Sequence, residues 1–170
     1  HNPTGCVNTG SINYCRYKGG YTSGNGEVGG VVGYMNIETP TDLTNDATVR
    51  TTGSSPNCYT GGIVGRTNAS TIGFKNCYVG TTNGDTSNRY TISGASESSD
   101  GTADAYGSGS AGLFSSDGNT AHAWDFDGCK IKNGTKCQNV TMTSSNYSPY
   151  LIGRNQATSV TNPPIFVDSF

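Results

Sequence analysis

The stretch TGGIVGRTN at residues 60–68 decides the fold that we predict, because it recurs along the chain. Residues 28–36, VGGVVGYMN, repeat its two glycines, two β-branched residues, glycine and polar end. Two fainter copies follow: AGLFSS at residues 111–116 keeps the order small, small, apolar, apolar, small, and YLIGRN at residues 150–155 keeps the apolar pair and the glycine. Copies spaced by about 30–50 residues are typical of stacked coils, since each short unit buries its apolar pair only against its neighbours.

A second phrase alternates with the first. It joins a cysteine and aliphatic residues to an Asn-Gly or Thr-Gly turn, and it reads GCVNTGSINYC at residues 5–15, NCYVGTTNG at 76–84 and DGCKIKNGTKC at 127–137. Alternation of two strand types fits successive faces of one coil. Apolar residues nowhere keep a helical spacing and glycine is scattered throughout, so we expect almost no helix.

The chain has 170 residues and no change of composition that would mark a second domain, so we predict a single β-solenoid domain over residues 1–170. Two segments interrupt the phrases: residues 37–56, with two prolines, and residues 90–109, rich in Ser, Gly, Asp and Ala. We predict that both are loops leaving the stack, because solenoids accommodate insertions at their corners.

The charge of the chain argues against two classes of partner. Only 13% of the residues are charged and the formal net charge is -2, so no field of one sign attracts nucleic acid or an anionic membrane. No apolar run has the length needed to cross a bilayer. We therefore expect neither nucleic-acid binding nor membrane insertion, and we expect no cofactor.

Cysteines and glycosylation sequons indicate secretion. The chain has 6 cysteines, an even number, together with Asn-X-Ser/Thr sequons. The cysteines are Cys6, Cys15, Cys58, Cys77, Cys129 and Cys137, and the sequon asparagines are Asn68, Asn133, Asn139 and Asn146. We predict disulfides and an extracellular location, with N-glycans at some of these sites; chance sequons are the alternative in a chain rich in Asn, Ser and Thr. The start at His1 suggests a removed leader or a piece of a longer chain.

Disulfides explain the cysteines better than metal binding or catalysis. His1 and His122 are isolated and no Cys-X-X-Cys pair occurs, so neither a zinc pattern nor a Cys-His enzyme is expected. Six cysteines permit fifteen pairings. The pairings that we favour are Cys6 with Cys15 and Cys129 with Cys137, around related turns, and Cys58 with Cys77 across one coil.

The C-terminal segment at residues 162–170, NPPIFVDSF, differs from the rest of the chain. Two prolines fix an extended entry, and the apolar Ile165, Phe166, Val167 and Phe170 have no following unit in this chain to cover them. One interpretation is a cap strand that protects the terminal coil. The alternative is an exchange strand that pairs with another molecule, which makes these four residues a self-assembly site.

The densest chemical stretch is HAWDFD at residues 122–127. In a strand, Asp125 and Asp127 share one face, so their carboxylates are candidates for the acid and base of a polysaccharide hydrolase or lyase. No second charged cluster accompanies them, which favours Trp124 and Phe126 as core residues with the aspartates facing solvent. Trp124 as an exposed platform for a sugar ring is a further alternative.

Weaker signals point to turns. DGN at residues 117–119 and DG at residues 100–101 resemble fragments of calcium loops, but they lack the ligand spacing and the closing glutamate of an EF-hand. TVRT at residues 48–51 invites an ice-binding interpretation, which needs the same threonine pattern in every coil. The chain does not repeat it.

The phrases VGGVVGY, GGIVGR, NCY and GCVNTGSI resemble the GLUG-type repeats of large surface proteins and adhesins of the Bacteroidetes. The resemblance covers roughly residues 5–85, and the later copies lack the double glycine. It implies a right-handed parallel β-helix on a cell surface and brings no catalytic residues. The sequons depart from that family, because asparagine-linked glycans on this motif are mainly a eukaryotic feature.

These observations together predict a secreted, non-catalytic structural protein that is a subunit of a surface fibre or layer. A short solenoid has two open ends, and such ends favour head-to-tail self-association into a homopolymer. One alternative is a ligand-binding module of an adhesin that contacts glycans or a host surface through the two predicted insertions. The other is a polysaccharide lyase or hydrolase that uses Asp125 and Asp127.

Overall fold

The computed structural model of the chain describes residues 7–8, 12–17, 26–35, 39–45, 49–53, 58–67, 72–80, 91–97, 104–105, 111–118, 123–137, 140–153 and 159–170. Over these residues the protein consists of short β-strands and one 3-10 turn, Ser148–Tyr150. The predicted all-β class and the near absence of helix are therefore confirmed for the part of the chain that the structure describes.

The strands are two to seven residues long. Several end at a glycine, as β3 and β7 do, because the chain bends sharply there. In chain order they are β1 (Val7–Asn8), β2 (Ile12–Tyr17), β3 (Gly26–Gly29), β4 (Val32–Met35), β5 (Thr44–Asn45), β6 (Val49–Gly53), β7 (Cys58–Gly61), β8 (Val64–Thr67), β9 (Ile72–Gly73), β10 (Tyr78–Val79), β11 (Thr91–Glu97), β12 (Asp104–Ala105), β13 (Ala111–Gly112), β14 (Ser115–Gly118), β15 (Ala123–Asp125), β16 (Lys130–Lys132), β17 (Lys136–Cys137), β18 (Val140–Thr141), β19 (Ser159–Thr161) and β20 (Ile165–Val167).

Most of these strands form small parallel sheets. Sheet 1 has the order β1-β5-β10-β16-β20, and sheet 2 has the order β18-β17-β11-β6-β2. Sheet 3 is β13-β7-β3, sheet 4 is β14-β8-β4 and sheet 5 is β19-β15-β9. The antiparallel pairs are β11 with β12 and β17 with β18, both in sheet 2.

The chain visits the sheets in one repeated order. β1, β2, β3 and β4 lie in sheets 1 to 4, and β5 then returns to sheet 1 to begin the same sequence again. In sheet 1, Thr44 lies opposite both Val7 and Tyr78, and Tyr78 lies opposite Lys130. Each passage through the sheets therefore aligns its strands with those of the passage before.

The core lies between the sheets and contains an aromatic cluster. The Phe74 ring centroid is 5.4 Å from that of Phe114, 6.4 Å from that of Trp124 and 5.7 Å from that of Phe126. All four side chains are buried, and Leu113, Ile63 and Ile131 join them in one apolar cluster. Burial of Trp124 and Phe126 confirms the prediction that they are core residues and excludes Trp124 as an exposed sugar platform.

The recurring glycine-rich copies stack directly on one another. The backbone N–H of Gly30 donates to the carbonyl oxygen of Gly61 at 3.1 Å, and that of Gly62 donates to Gly112 at 3.0 Å. In the last copy, Leu113 donates to the carbonyl oxygen of Tyr150 at 2.8 Å. The four similar stretches of sequence therefore occupy equivalent places in the fold.

Gly61 shows why a glycine is needed at the bend between β7 and β8. A Cβ atom there would collide with the carbonyl oxygen of Val64 on the same chain. Gly112 occupies the equivalent place, since β13 pairs with β7 in the register Gly112 opposite Gly61. The order of small and apolar residues in AGLFSS would instead place Gly112 opposite Gly62. The observed register is therefore shifted by one residue.

The two predicted insertions are not simple loops. Residues 37–56 contain β5 and β6, and β6 lies between β2 and β11 in sheet 2. Residues 90–109 contain β11, which pairs with β6, and β12. Leu43 and Val49 are fully buried. The prediction was wrong because Leu43 stands where the other copies have cysteine, so the second phrase was not recognised in Asp42-Leu43-Thr44.

Candidate self-association site

The C-terminal strand β20 lies at one end of sheet 1. It pairs in parallel with β16, with Ile165 opposite Lys130 and Phe166 opposite Ile131. Among the described residues, no strand pairs with the other edge of β20. An unpaired strand edge presents backbone N–H and C=O groups that can accept a further strand.

The hydrogen bonds within sheet 1 follow one pattern from strand to strand. The N–H of Tyr78 donates to the carbonyl oxygen of Leu43 at 2.8 Å, and that of Lys130 donates to Cys77 at 3.0 Å. At the end of the sheet, Ile165 donates to Cys129 at 3.2 Å. Since each acceptor directly precedes its strand, the equivalent acceptor on β20 is the carbonyl oxygen of Pro164, which would serve the next strand.

The backbone of β20 alternates between its paired and its outer edge. The N–H of Ile165 and the C=O of Val167 both bond to the chain around β16, the latter accepting from the N–H of Asn133 at 2.8 Å. Because successive residues of a strand point their peptide groups to opposite sides, the N–H and C=O of Phe166 face the outer edge. The open edge therefore offers both a donor and acceptors.

The four predicted self-assembly residues all lie at this end of sheet 1. Ile165 is 59% exposed, while Phe166 and Val167 are half-buried. The Phe166 ring meets Tyr147 edge-on with the centroids 5.3 Å apart. Phe170 reaches back across the sheet and stacks on Tyr78 with the centroids 5.3 Å apart. Phe170 thus fastens the segment to an earlier strand, and Ile165 is left to solvent.

Half-buried apolar residues that pack against the core occur at both ends of the stacked strands. At the first end are Val31 and Val32, which lie in and before β4, the first strand of sheet 4. At the last end are Tyr147, Tyr150, Val160 and Phe166, which flank the 3-10 turn or lie in the outer strands β19 and β20. Residues of the inner strands, such as Val64 and Ile131, are fully buried. The core is therefore incompletely covered where the stack begins and where it ends.

Three amide-to-carboxylate bonds that the sequence analysis did not predict join neighbouring passages of the chain. The pairs are Asn76 Nδ2 to Asp42 Oδ1 at 3.1 Å, Asn162 Nδ2 to Asp125 Oδ1 at 2.9 Å and Asn133 Nδ2 to Asp168 Oδ1 at 2.6 Å. Asp42, Asn76 and Asn162 adopt positive φ angles of 56°, 50° and 45°. Asn and Asp tolerate this conformation better than other non-glycine residues, which explains their place at the corners. Asp42 and Asn76 each stand two residues before a strand of sheet 1, and Asn133 and Asp168 each directly follow one, so these Asx positions are the signal that could have revealed two of the three bonds.

The structure corrects the predicted pairing of Cys129 with Cys137. Both are free, buried thiols, as is Cys77. Cys129 precedes a strand of sheet 1, whereas Cys137 ends a strand of sheet 2 and its Sγ lies 3.5 Å from the carbonyl oxygen of Ala111. The turn between them therefore places the two thiols on different faces of the stack.

The other disulfide predictions involve residues about which less can be said. Cys77 is free, so the pairing of Cys58 with Cys77 is not formed. Cys15 lies in β2 and Cys58 in β7, but their side chains are outside the described part, and Cys6 lies outside it altogether. The pairing of Cys6 with Cys15 therefore stays a prediction.

The described sequon asparagines both use their amide groups in hydrogen bonds. Asn133 donates to Asp168, as given above, and the threonine of its sequon, Thr135, is buried. Asn146 donates to the carbonyl oxygen of Thr141 at 3.1 Å and accepts from the N–H of Thr143 at 2.7 Å. Asn68 and Asn139 lie outside the described residues. Glycosylation at all four sites stays a prediction.

The aspartates of HAWDFD do not stand together as an isolated pair. Asp125 is half-buried and accepts a hydrogen bond from Asn162, whereas Asp127 is exposed in a turn. His122 lies outside the described residues. Asp125 thus has a structural partner on the next passage of the chain, and the catalytic interpretation of this stretch stays untested.

Two kinds of feature were sought in the part of the chain that the structure describes: groups of metal-binding side chains and helices able to span a membrane. No three His, Cys, Asp or Glu side chains there lie close enough together to hold a metal ion. No described helix has the length and apolar character needed to cross a membrane. Of the two calcium-like fragments, residues 117–118 belong to β14, while residues 119 and 100–101 lie outside the described part.

Comparison with known proteins gives no match. No protein-family profile matches the chain, no curated protein is similar to it and no solved structure matches it. The resemblance to GLUG-type repeats therefore stays a hypothesis, and function must be argued from the geometry of the chain itself.

Proposed function

We propose that this chain is a right-handed parallel β-solenoid that acts as a non-catalytic, extracellular structural subunit and joins head to tail with other copies of itself. The joint forms between the open edge of β20 in one copy and the open edge of β1 in the next. The product is a fibre or a surface layer with stacked strands running across it.

The order in which the chain visits the sheets supports the solenoid. Each time the chain returns to sheet 1, it adds one parallel strand in register with the previous one. The residues that lie opposite one another in this row are Thr44, Tyr78, Lys130 and Ile165. Crossovers between parallel strands of one sheet are almost always right-handed, which favours that hand here. Among the described residues, β1 at one end of sheet 1 and β20 at the other each pair with a single strand.

The observation that carries the assembly proposal is the position of the half-buried apolar residues. They lie in or beside the outer strands β4, β19 and β20 or at the 3-10 turn, whereas Val64 and Ile131 of the inner strands β8 and β16 are fully buried. A second copy placed end to end would cover Phe166, Val160, Tyr147 and Tyr150 of one copy with the first strands of the other. Apolar burial stabilises such a contact by about 25 cal/mol for each Å² removed from water.

The register of the joint follows from sheet 1. Val7 lies opposite Thr44, which begins the row of residues that ends at Ile165. Continuation of that row would place Val7 of the next copy opposite Ile165, with its N–H donating to the carbonyl oxygen of Pro164. Both strands would run in the same direction, so the joint repeats without closing and gives an open fibre.

Extracellular placement rests on the sequence. The four sequons are typical of proteins of the secretory route, and the low net charge of -2 leaves little repulsion between copies. The partner is therefore another copy of the chain.

The proposal is tested by removing residues 165–170 and imaging the protein by negative-stain electron microscopy. The full chain should form regular fibres, and the truncated chain should give dispersed particles with an unchanged far-ultraviolet circular dichroism spectrum. If the truncated chain assembles as the full chain does, β20 is not the joint. If neither chain assembles under native conditions, the adhesin module becomes the better account.

A further inference from the structure

Cys77 and Cys129 occupy equivalent places in neighbouring strands of sheet 1. Each directly precedes its strand, and Tyr78 lies opposite Lys130, so Cys77 lies opposite Cys129. Paired strands lie about 4.8 Å apart, which falls within the Cα separation of about 4.4–6.8 Å that disulfides adopt. The backbone N–H of Cys77 is 3.4 Å from Cys129 Sγ.

The two thiols are enclosed by apolar residues and backbone. Cys77 is 0% and Cys129 2% exposed. Cys77 Sγ lies 3.4 Å from the carbonyl oxygens of Pro40 and Lys75, and Cys129 Sγ lies 3.3 Å from that of Phe74. A hydrogen bond between the two side chains lowers the pKa of Cys77 and raises the pKa of Cys129.

A metal site does not explain this pair. Within the described ranges no third His, Cys, Asp or Glu side chain joins the two sulfurs to form a binding group. Two neighbouring thiols can also be oxidised to a disulfide.

We propose that Cys77 and Cys129 form a disulfide that links two neighbouring passages of the chain when the protein folds in the presence of a small-molecule disulfide. One thiolate attacks the small disulfide and releases one thiol, which leaves a mixed disulfide on the protein. The second thiolate then displaces the other small thiol and closes the Cys77–Cys129 bond. In total, two cysteine thiols lose two protons and two electrons, and one small disulfide becomes two small thiols.

The bond forms during folding, because the completed stack closes off both sulfurs. β20 covers the strand that follows Cys129, since the N–H of Ile165 donates to the carbonyl oxygen of Cys129. The cross-link spans β11 to β15, the longest stretch between neighbouring strands of sheet 1. The disulfide would therefore lower the conformational entropy of the unfolded chain over the longest loop between neighbouring strands of sheet 1.

Cys137 is the internal control. It is fully buried, its burial raises the pKa of its thiol, and it lies in sheet 2 away from the pair. We expect it to remain a free thiol under the same conditions.

The test is refolding of the full chain in a buffer of reduced and oxidised glutathione, followed by iodoacetamide in denaturant and peptide mapping by mass spectrometry. The expected map contains a disulfide-linked peptide pair that carries Cys77 and Cys129, with Cys137 alkylated. Alkylation of both Cys77 and Cys129, or their linkage to other cysteines, would overturn the proposal. The peptide map of the unmodified sequence is enough to show whether Cys77 and Cys129 are linked, and no variant is needed. The result does not depend on whether the chain assembles into fibres.

Two variants sharpen the result. Cys137→Ala should keep the linked pair, and Cys77→Ser should leave Cys129 alkylated. Reduction should lower the Tm of the unmodified sequence by about 10 °C, because a disulfide that closes a loop of this size restricts the unfolded chain strongly. The same reduction should lower the Tm of Cys77→Ser by much less, and equal losses in both proteins would contradict the cross-link.

Discussion

Strands β10 and β20 belong to the same sheet, but β10 has a neighbouring strand on each side and β20 has one neighbour among the described residues. β10 pairs with β5 on one side and β16 on the other, and its Val79 is 1% exposed. β20 pairs with β16 alone; its Ile165 is 59% exposed, and its Phe166 is half-buried where Val79 is enclosed. The same backbone pattern is thus complete in the middle of the stack and incomplete at its end.

We therefore expect inner strands to determine the stability of the fold and the terminal strand to determine its assembly. Inner strands are held by hydrogen bonds on both edges and by a closed core, so substitutions there should unfold the protein. The terminal strand has a free edge and the exposed side chain of Ile165, so substitutions on that outer surface should leave the fold and remove the joint. Substitutions of an inner ring, of the terminal edge and of a corner residue should therefore have different effects.

The largest effect is expected from loss of an inner aromatic ring. Phe74→Ala removes a buried ring that contacts Phe114, Trp124 and Phe126, and should lower the free energy of unfolding by about 3–5 kcal/mol. Phe166→Ala removes a half-buried terminal ring and should cost about 1 kcal/mol. Urea unfolding followed by circular dichroism measures both, and equal losses would show that the end of the stack is as well packed as its middle.

The next effect concerns assembly. Ile165→Lys puts a charge on the open edge, which disfavours strand pairing, while the side chain stays in solvent. The concentration needed for assembly should rise roughly tenfold, equivalent to about 1.4 kcal/mol lost for each joint.

Ile165→Val is the matched control for that substitution, because it keeps a β-branched apolar side chain at the edge. Sedimentation of fibres at a series of protein concentrations compares the two. The expected order is Ile165→Val near the unmodified sequence and Ile165→Lys well above it. Identical values for both variants would mean that the edge of β20 does not take part in the joint.

The smallest effect is expected at a corner. Asn76→Ala removes the hydrogen bond to Asp42 and places alanine at a φ of 50°, which should cost about 1 kcal/mol of unfolding free energy. Asn76→Gly relieves the backbone strain and should recover most of that loss. If glycine is no better than alanine in chemical denaturation, the positive φ is not what selects asparagine there.

Much of the fold could be predicted from local patterns that repeat. The double glycines of residues 28–36 and 60–68 are joined by backbone hydrogen bonds, and the bend at Gly61 tolerates no side chain atom. The core positions of Trp124 and Phe126 were also predictable, since they alternate with polar aspartates.

Other features depend on which passages of the chain lie side by side, and a single sequence does not record that. Leu43 replaces the cysteine of the other copies, so β5 and β6 were mistaken for a loop. Cys129 lies beside Cys77, far away along the chain, and not beside the nearer Cys137. The open edge of β20 was predictable as an apolar ending, but its register was not, because that register is fixed by β16.

X-ray fibre diffraction from aligned assemblies of the unmodified protein tests the central claim most directly. If copies stack end to end, the strands lie across the fibre, and a reflection at about 4.8 Å appears along the fibre axis. Fibres without that reflection along the axis would contradict stacking through sheet 1. Dispersed monomers at every concentration would contradict self-assembly itself.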